Sequence, residues 1–131
     1  MTATCLPDSS GTGAKSVADV KPNSRARLPV PRGKFDPRYR DFFERFNRQE
    51  YFEAHEVLEQ LWLSTRDDKR DFYQGLIQTA AALLKRKQGK TEAAARLAAR
   101  AEHRLQKYHD TVEGLDVQVV ISLLREVQGQ R

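Results

Sequence analysis

The sequence predicts an all-α fold, a compact antiparallel bundle of about five helices with a disordered N-terminal tail. Three observations predict it. From Phe35 onward, apolar residues recur three and four apart through successive stretches, the period of a helix with one buried face. Residues that start or stop helices, among them Asp36-Pro37, Gly89 and Gly114, fall between those stretches. The composition also changes near residue 35, and every Phe, Tyr and Trp of the chain lies from Phe35 onward.

Residues 1–34 hold four Pro, three Gly and four Ser, with apolar residues singly or at most in pairs. Such a segment cannot bury enough apolar area to offset the entropy of ordering its backbone. It is therefore expected to be a basic, disordered tail, and residues 35–131 a single helical domain. The length of 131 residues suits one domain and not two. The pI of about 9.6 points first to nucleic acid. The tail, however, supplies +4 of the net +5, and the domain is close to neutral. Nucleic acid is not its expected partner.

No apolar run approaches the roughly 18 residues of a membrane span, so no membrane partner is expected. The N-terminus lacks the pattern of a secretory signal. The single cysteine, Cys5, supplies neither an internal disulfide nor a Cys-based zinc site. The expected location is the cytoplasm. Because the tail is basic, Ser-containing and poor in acids, organelle targeting through it is the alternative.

Asp36 caps a first helix over 37–48, with Pro37 at its first position and Tyr39, Phe42, Phe43 and Phe46 on its apolar face. A second helix covers 50–64. A polar connection, Thr65-Arg66-Asp67-Asp68, leads to a third over 68–88. Phe72, Tyr73, Leu76, Ile77, Ala80, Leu83 and Leu84 fill one stripe of this helix, and it is expected at the centre. Gly75, Thr79 and Ala82 flank that stripe and let a second helix approach closely. Gly89 closes it, and Thr91 caps a fourth helix over 92–112 that Gly114 ends. Asp116 then caps a last segment, 117–127. Its Val/Ile content suits a strand, but Val120, Leu123, Leu124 and Val127 fit helical spacing and a lone strand would have no partner.

The informative stretch is Tyr51-Phe-Glu-Ala-His-Glu-Val-Leu-Glu-Gln-Leu-Trp62. With Phe52 at zero and 100° per residue, His55 falls at about 300° and Glu59 at about 340°, between Trp62 and Phe52. The two are neighbours one turn apart at the apolar margin. They could give an imidazole nitrogen and a carboxylate oxygen to a divalent metal. They could form an oriented general base. Or they could make a structural hydrogen bond within the core. His-Glu-x-x-His is not met, because residue 59 is Glu. The di-iron Glu-x-x-His pattern fails at Phe52. His103 and His109 are six apart, about 240° around a helix, so at most one could reach the same site.

This stretch, followed by Gln74-Gly-Leu-Ile-Gln-Thr-Ala-Ala81, resembles the domain of unknown function 309 family (DUF309). The family is marked by His-x-x-x-Glu followed by Trp or Tyr, here His55, Glu59 and Trp62, and the likeness covers roughly 37–127. It implies a small all-helical domain with no established activity and a motif suggested to bind metal. The sequence departs from the family pattern at Gln49, where Gly is common, and at Lys90 and Ala93, where Asn and Gly are usual.

Gln74 and Gln78 lie off the main stripe of the third helix. Their amides either complete a ligand pocket with Trp62 or make ordinary interhelix hydrogen bonds. Glu92, Arg96, Arg100 and Arg104 form a ladder, read as a solvated face with local Glu–Arg support and alternatively as a phosphate-binding stripe. No complete catalytic constellation is present, and a metal-dependent hydrolase would need further converging groups. Two readings lead, with weak nucleic-acid binding through the basic tail as a third. One is a domain binding a divalent metal or small ligand through His55, Glu59 and Trp62. The other is a structural or interaction module, including self-association, in which the His/Glu pair is a core hydrogen bond.

Overall fold

The computed structural model describes residues 27–129. They form five helices and one short β-ribbon: α1 (Pro37–Asn47), α2 (Tyr51–Ser64), α3 (Lys69–Lys87), α4 (Thr91–Leu105), β1 (Thr111–Val112), β2 (Leu115–Asp116) and α5 (Val117–Gly129). Helix α3 is central and packs against α2, α4 and α5. Among the described residues, no helix is long and apolar enough to cross a membrane.

Helix α1 begins as its sequence requires. The Asp36 carboxylate accepts from the Arg38 amide at 2.9 Å, and Pro37 occupies the first turn. Its aromatic face is fully buried and packs edge to face, with Phe42 and Phe43 centroids 5.0 Å apart at 83°. Where α1 ends, the amides of Gln49 and Glu50 return to the carbonyls of Phe46 and Arg45, each at 2.9 Å. The same two-bond closure ends α3, from Gly89 to Arg86 and from Lys90 to Lys85. Both closures place one residue in the left-handed region. At α3 it is Gly89 with φ 81°, but at α1 it is Gln49 with φ 65°. A side chain there meets the following carbonyl, a penalty glycine avoids.

Gly75 sets the α3–α4 separation. A Cβ at this position would lie 2.7 Å from Leu105 Cδ2 and 2.8 Å from Cγ, inside contact distance. Thr79 and Ala82 are buried with it, the small-residue flank the spacing predicts. On the far side, α5 is tied to α4 by Glu102, which accepts from Arg125 at 2.7 Å and from Gln128 at 2.6 Å. The last segment is thus a helix, capped by Asp116 through the Gln118 amide.

Three boundaries differ from expectation. Helix α4 stops at Leu105 rather than continuing to 112. A two-stranded antiparallel ribbon follows, pairing Thr111 with Asp116 and Val112 with Leu115. Glu113 and Gly114 form its turn with φ of 50° and 73°, the doubly left-handed geometry of a tight hairpin. Gly114 therefore serves the ribbon, not a helix end. The ribbon is held by Glu113, whose carbonyl accepts from the Tyr39 hydroxyl at 2.8 Å and whose carboxylate takes Tyr73 at 2.7 Å and Lys69 at 2.9 Å. Thr91 is the first residue of α4, and Lys90 precedes it without a side-chain cap.

The third difference lies before α1. Leu28, placed by sequence in the tail, is buried in the core. Its amide donates to Asn47 Oδ1 at 2.7 Å and its carbonyl accepts from Asn47 Nδ2 at 2.8 Å. One side-chain amide thus mimics a strand partner, and packing extends back to Leu28. Residues 1–26 of the expected tail lie outside the described residues.

Two substitutions test these backbone constraints by chemical denaturation. Gly75→Ala gains about 0.5–1 kcal/mol of helix propensity but overpacks Leu105 at a cost of roughly 1–3 kcal/mol, so a net loss of stability is expected. Gln49→Gly is expected to stabilise by about 0.5 kcal/mol, the relieved left-handed strain exceeding the added chain entropy. An unchanged midpoint in either variant would contradict the corresponding geometry.

Candidate functional site

Helix α2 buries Tyr51, Ala54, Leu58 and Leu61 against the core. At 100° per residue, Leu58, Tyr51, Trp62 and His55 fall within an arc of about 60°. The Tyr51 hydroxyl, His55 Nδ1 and Trp62 Nε1 are buried without a hydrogen-bond partner, and they are the three such side-chain atoms among the described residues. A buried polar atom left unpaired costs about 1–3 kcal/mol. Concentration of all three on one helix face is therefore a feature of α2, not scatter through the core.

The surroundings of the three differ along the helix. His55 stacks on Phe52, centroids 6.3 Å apart and planes at 19°. Phe52 and Leu63 are about half exposed and form an apolar flank. The Arg70 guanidinium lies 4.0 Å above the Trp62 ring, held there by a 3.1 Å bond to the Thr65 carbonyl. At the other end Lys87 Nζ donates to the Gln49 carbonyl at 3.1 Å and sits 5.9 Å from the Tyr51 ring. Burial pushes the Tyr51 phenol pKa up, against the opposing pull of Arg86. A cation thus stands over the ring at each end of the stripe.

His55 and Glu59 are both half-buried, at the apolar margin where the helical wheel puts them. Among the described residues no hydrogen bond or ion pair joins them, so the core hydrogen bond of the structural reading is not formed. Nor do they make a metal centre by themselves. No group of three or more His, Cys, Asp or Glu side chains among the described residues could hold an ion, whereas zinc takes three or four protein ligands. His103 and His109 are exposed and do not join the pair.

Gln78 and Gln74 line two grooves on α3. They share an arc of α3 with Asp71 and Gly75, the side that α4 covers. Gln78 Oε1 accepts from Arg104 at 3.3 Å, the interhelix bond of the plainer reading. Gln74 lines a groove with Asp67, Asp68, Arg70 and Tyr108. Arg70, which lines the same groove as Gln74, also lies over the Trp62 ring. On α4, the expected Glu92–Arg96 support is not made. Arg104 and Lys107 instead both pair with Asp71. Burial pushes the Asp71 carboxyl up, but hydrogen bonds from Lys107 and Arg104 outweigh it and hold the carboxyl below its ordinary range.

Tyr51 was legible only as a core residue, although its spacing to His55 and Trp62 carries the stripe. Nothing in the sequence marked Asp71 or Glu113, whose partners come from distant helices.

Residues 39–97 match the family model described as "Domain of unknown function (DUF309)", a span that includes all of α2 and is shorter than the likeness read from sequence. The chain is 36% identical over 96 residues to "Uncharacterized protein YpuF" of Bacillus subtilis (strain 168), covering 70% of this chain and 55% of that protein. It is 29% identical over 87 residues to an "Uncharacterized protein" of Aquifex aeolicus (strain VF5), covering 66% of this chain and 26% of that protein. The chain thus spans about half the length of the first relative and about a quarter of the second. No solved structure matches it.

The Asp71 clamp has a defined pH dependence. A carboxyl with a lowered native pKa adds stability above its unfolded value, and that stability is lost as pH falls through the native value. Between about pH 5 and pH 2, unfolding free energy is expected to fall more steeply for the unmodified protein than for Asp71→Asn. Equal slopes in urea denaturation across that range would refute the clamp.

Proposed function

We propose that this member of the DUF309 family, to which its residues 39–97 belong, is a ligand-binding helical domain whose α2 stripe takes up a carboxylate-bearing small molecule with an apolar portion. One observation carries the reading, the three buried and unpartnered polar atoms of Tyr51, His55 and Trp62 on one helix face. An indole N–H can only donate, and a phenol donates readily. The partner they lack must therefore present acceptors. Carboxylate oxygens do so, and the cations of Arg70 and Lys87 at the two ends favour a negative charge. Phe52 and Leu63 offer the apolar flank. As part of the same reading the domain acts in the cytoplasm, without nucleic acid as its partner.

Metal uptake is the second reading. It is favoured by the unpartnered Nδ1 of His55 with the Glu59 carboxylate one turn on. A divalent ion there would take its remaining donors from the bound molecule. The unpartnered atoms support binding, and the proposal is of binding.

The first test holds whichever ligand binds. If these atoms wait for an external partner, removing them leaves the free domain as stable or up to about 1–3 kcal/mol more stable. Tyr51→Phe and His55→Leu are expected to keep or raise the urea midpoint. A marked loss in both would mean that the atoms are satisfied within the fold, and would sink the proposal. The single tryptophan reports on the site directly. Its emission is expected to respond to octanoate in the unmodified protein and in Glu59→Gln, but not in His55→Leu. A response to zinc alone that Glu59→Gln abolishes would favour the metal reading instead.

A further inference from the structure

A groove of about 560 Å³ runs between α3 and α4, lined by Asp71, Gln78, Arg100, His103, Arg104 and Lys107. It is independent of the α2 stripe. Three permanent cations and an imidazole face one carboxylate there. Asp71 pairs with both Arg104 and Lys107, so the two are held at the groove wall before anything binds. Gln78 receives Arg104 through its Oε1, which leaves the amide NH₂ as a further donor. Arg100 and His103 make no hydrogen bond or ion pair among the described residues. The groove therefore presents a cationic wall in which Arg104 and Lys107 are already ordered by Asp71, while Arg100 and His103 offer spare donors.

Its charge reverses along its length. An adjoining groove of about 520 Å³ shares Asp71 and Lys107 but carries Asp67 and Asp68. A long polyanion lying along both halves would run onto those carboxylates, whereas a compact one would occupy only the cationic half. Arginine forks suit phosphoryl oxygens, which they bind in pairs.

We propose that the α3–α4 groove is a binding site for a compact phosphoryl-bearing anion, held by Arg100, Arg104 and Lys107. The ladder on α4 is thereby divided, since Arg100 and Arg104 line the groove and Arg96, one turn earlier, does not.

Calorimetric titration of the full chain with inorganic pyrophosphate at low ionic strength tests this, because Arg100 is exposed and can be changed without touching the core. The unmodified protein is expected to show one saturable site. Arg100→Gln should weaken it about tenfold, the loss of a charge-assisted hydrogen bond. Arg96→Gln, which removes the same charge outside the groove, should change it by less than about twofold. Absence of saturable binding would overturn the proposal, as would equal weakening by the two variants. A single-stranded oligonucleotide binding as tightly as pyrophosphate would overturn its restriction to compact anions.

Discussion

The contact between Gly75 and Leu105 is the constraint on which the rest of the arrangement depends. With no side chain at residue 75, α4 lies against α3 closely enough for the Leu105 methyls to occupy the space a Cβ would need. That closeness brings Arg104 and Lys107 within reach of Asp71 and Arg104 within reach of Gln78. It also delivers the chain after Leu105 to the α3 surface, where Glu113 meets Tyr39, Tyr73 and Lys69. Burial and the Glu113 carboxylate both push the Tyr39 and Tyr73 phenols to higher pKa, so these bonds are made by neutral hydroxyls throughout the ordinary pH range. One missing methyl group thus sets a helix pair, a groove and the seat of the hairpin.

The helices were legible because each repeats its apolar residues at the helical period and carries its own stop signals. Phe42, Phe43 and Phe46 are buried as their spacing requires, and Gly75, Thr79 and Ala82 mark the close face of α3. Features that depend on distant partners were not legible. The hairpin was hidden because Gly114 is as good a helix terminator as a turn residue, and only the left-handed Glu113 beside it distinguishes the two uses. Leu28 was hidden because its hydrogen bonds come from the side chain of Asn47, which no local pattern announces. At the site, the wheel correctly put His55 and Glu59 at the apolar margin. It could not show that they remain unbonded to each other, nor that Gln78 accepts from Arg104 of α4.

The α2 stripe has a thermodynamic meaning beyond any single ligand. Small domains are stable by only about 5–15 kcal/mol, and three unpaired buried groups forfeit a sizeable part of that. Sequence changes that would remove the deficit are simple, since phenylalanine at residue 51 or an aliphatic residue at 55 would fill similar space. On the proposed binding reading, the polar tips in this otherwise apolar arc serve a ligand rather than the fold. The cationic half of the α3–α4 groove shows the opposite arrangement, in which Asp71 satisfies two cations and the unused donors project outward.

The Asn47–Leu28 bonds fix a point of attachment as well as a packing contact. Asn47 is the last residue of α1, and a tight reversal separates it from Tyr51 at the start of α2. The first described residues are therefore anchored beside the start of α2, so the entry of the chain and the stripe share one fixed frame.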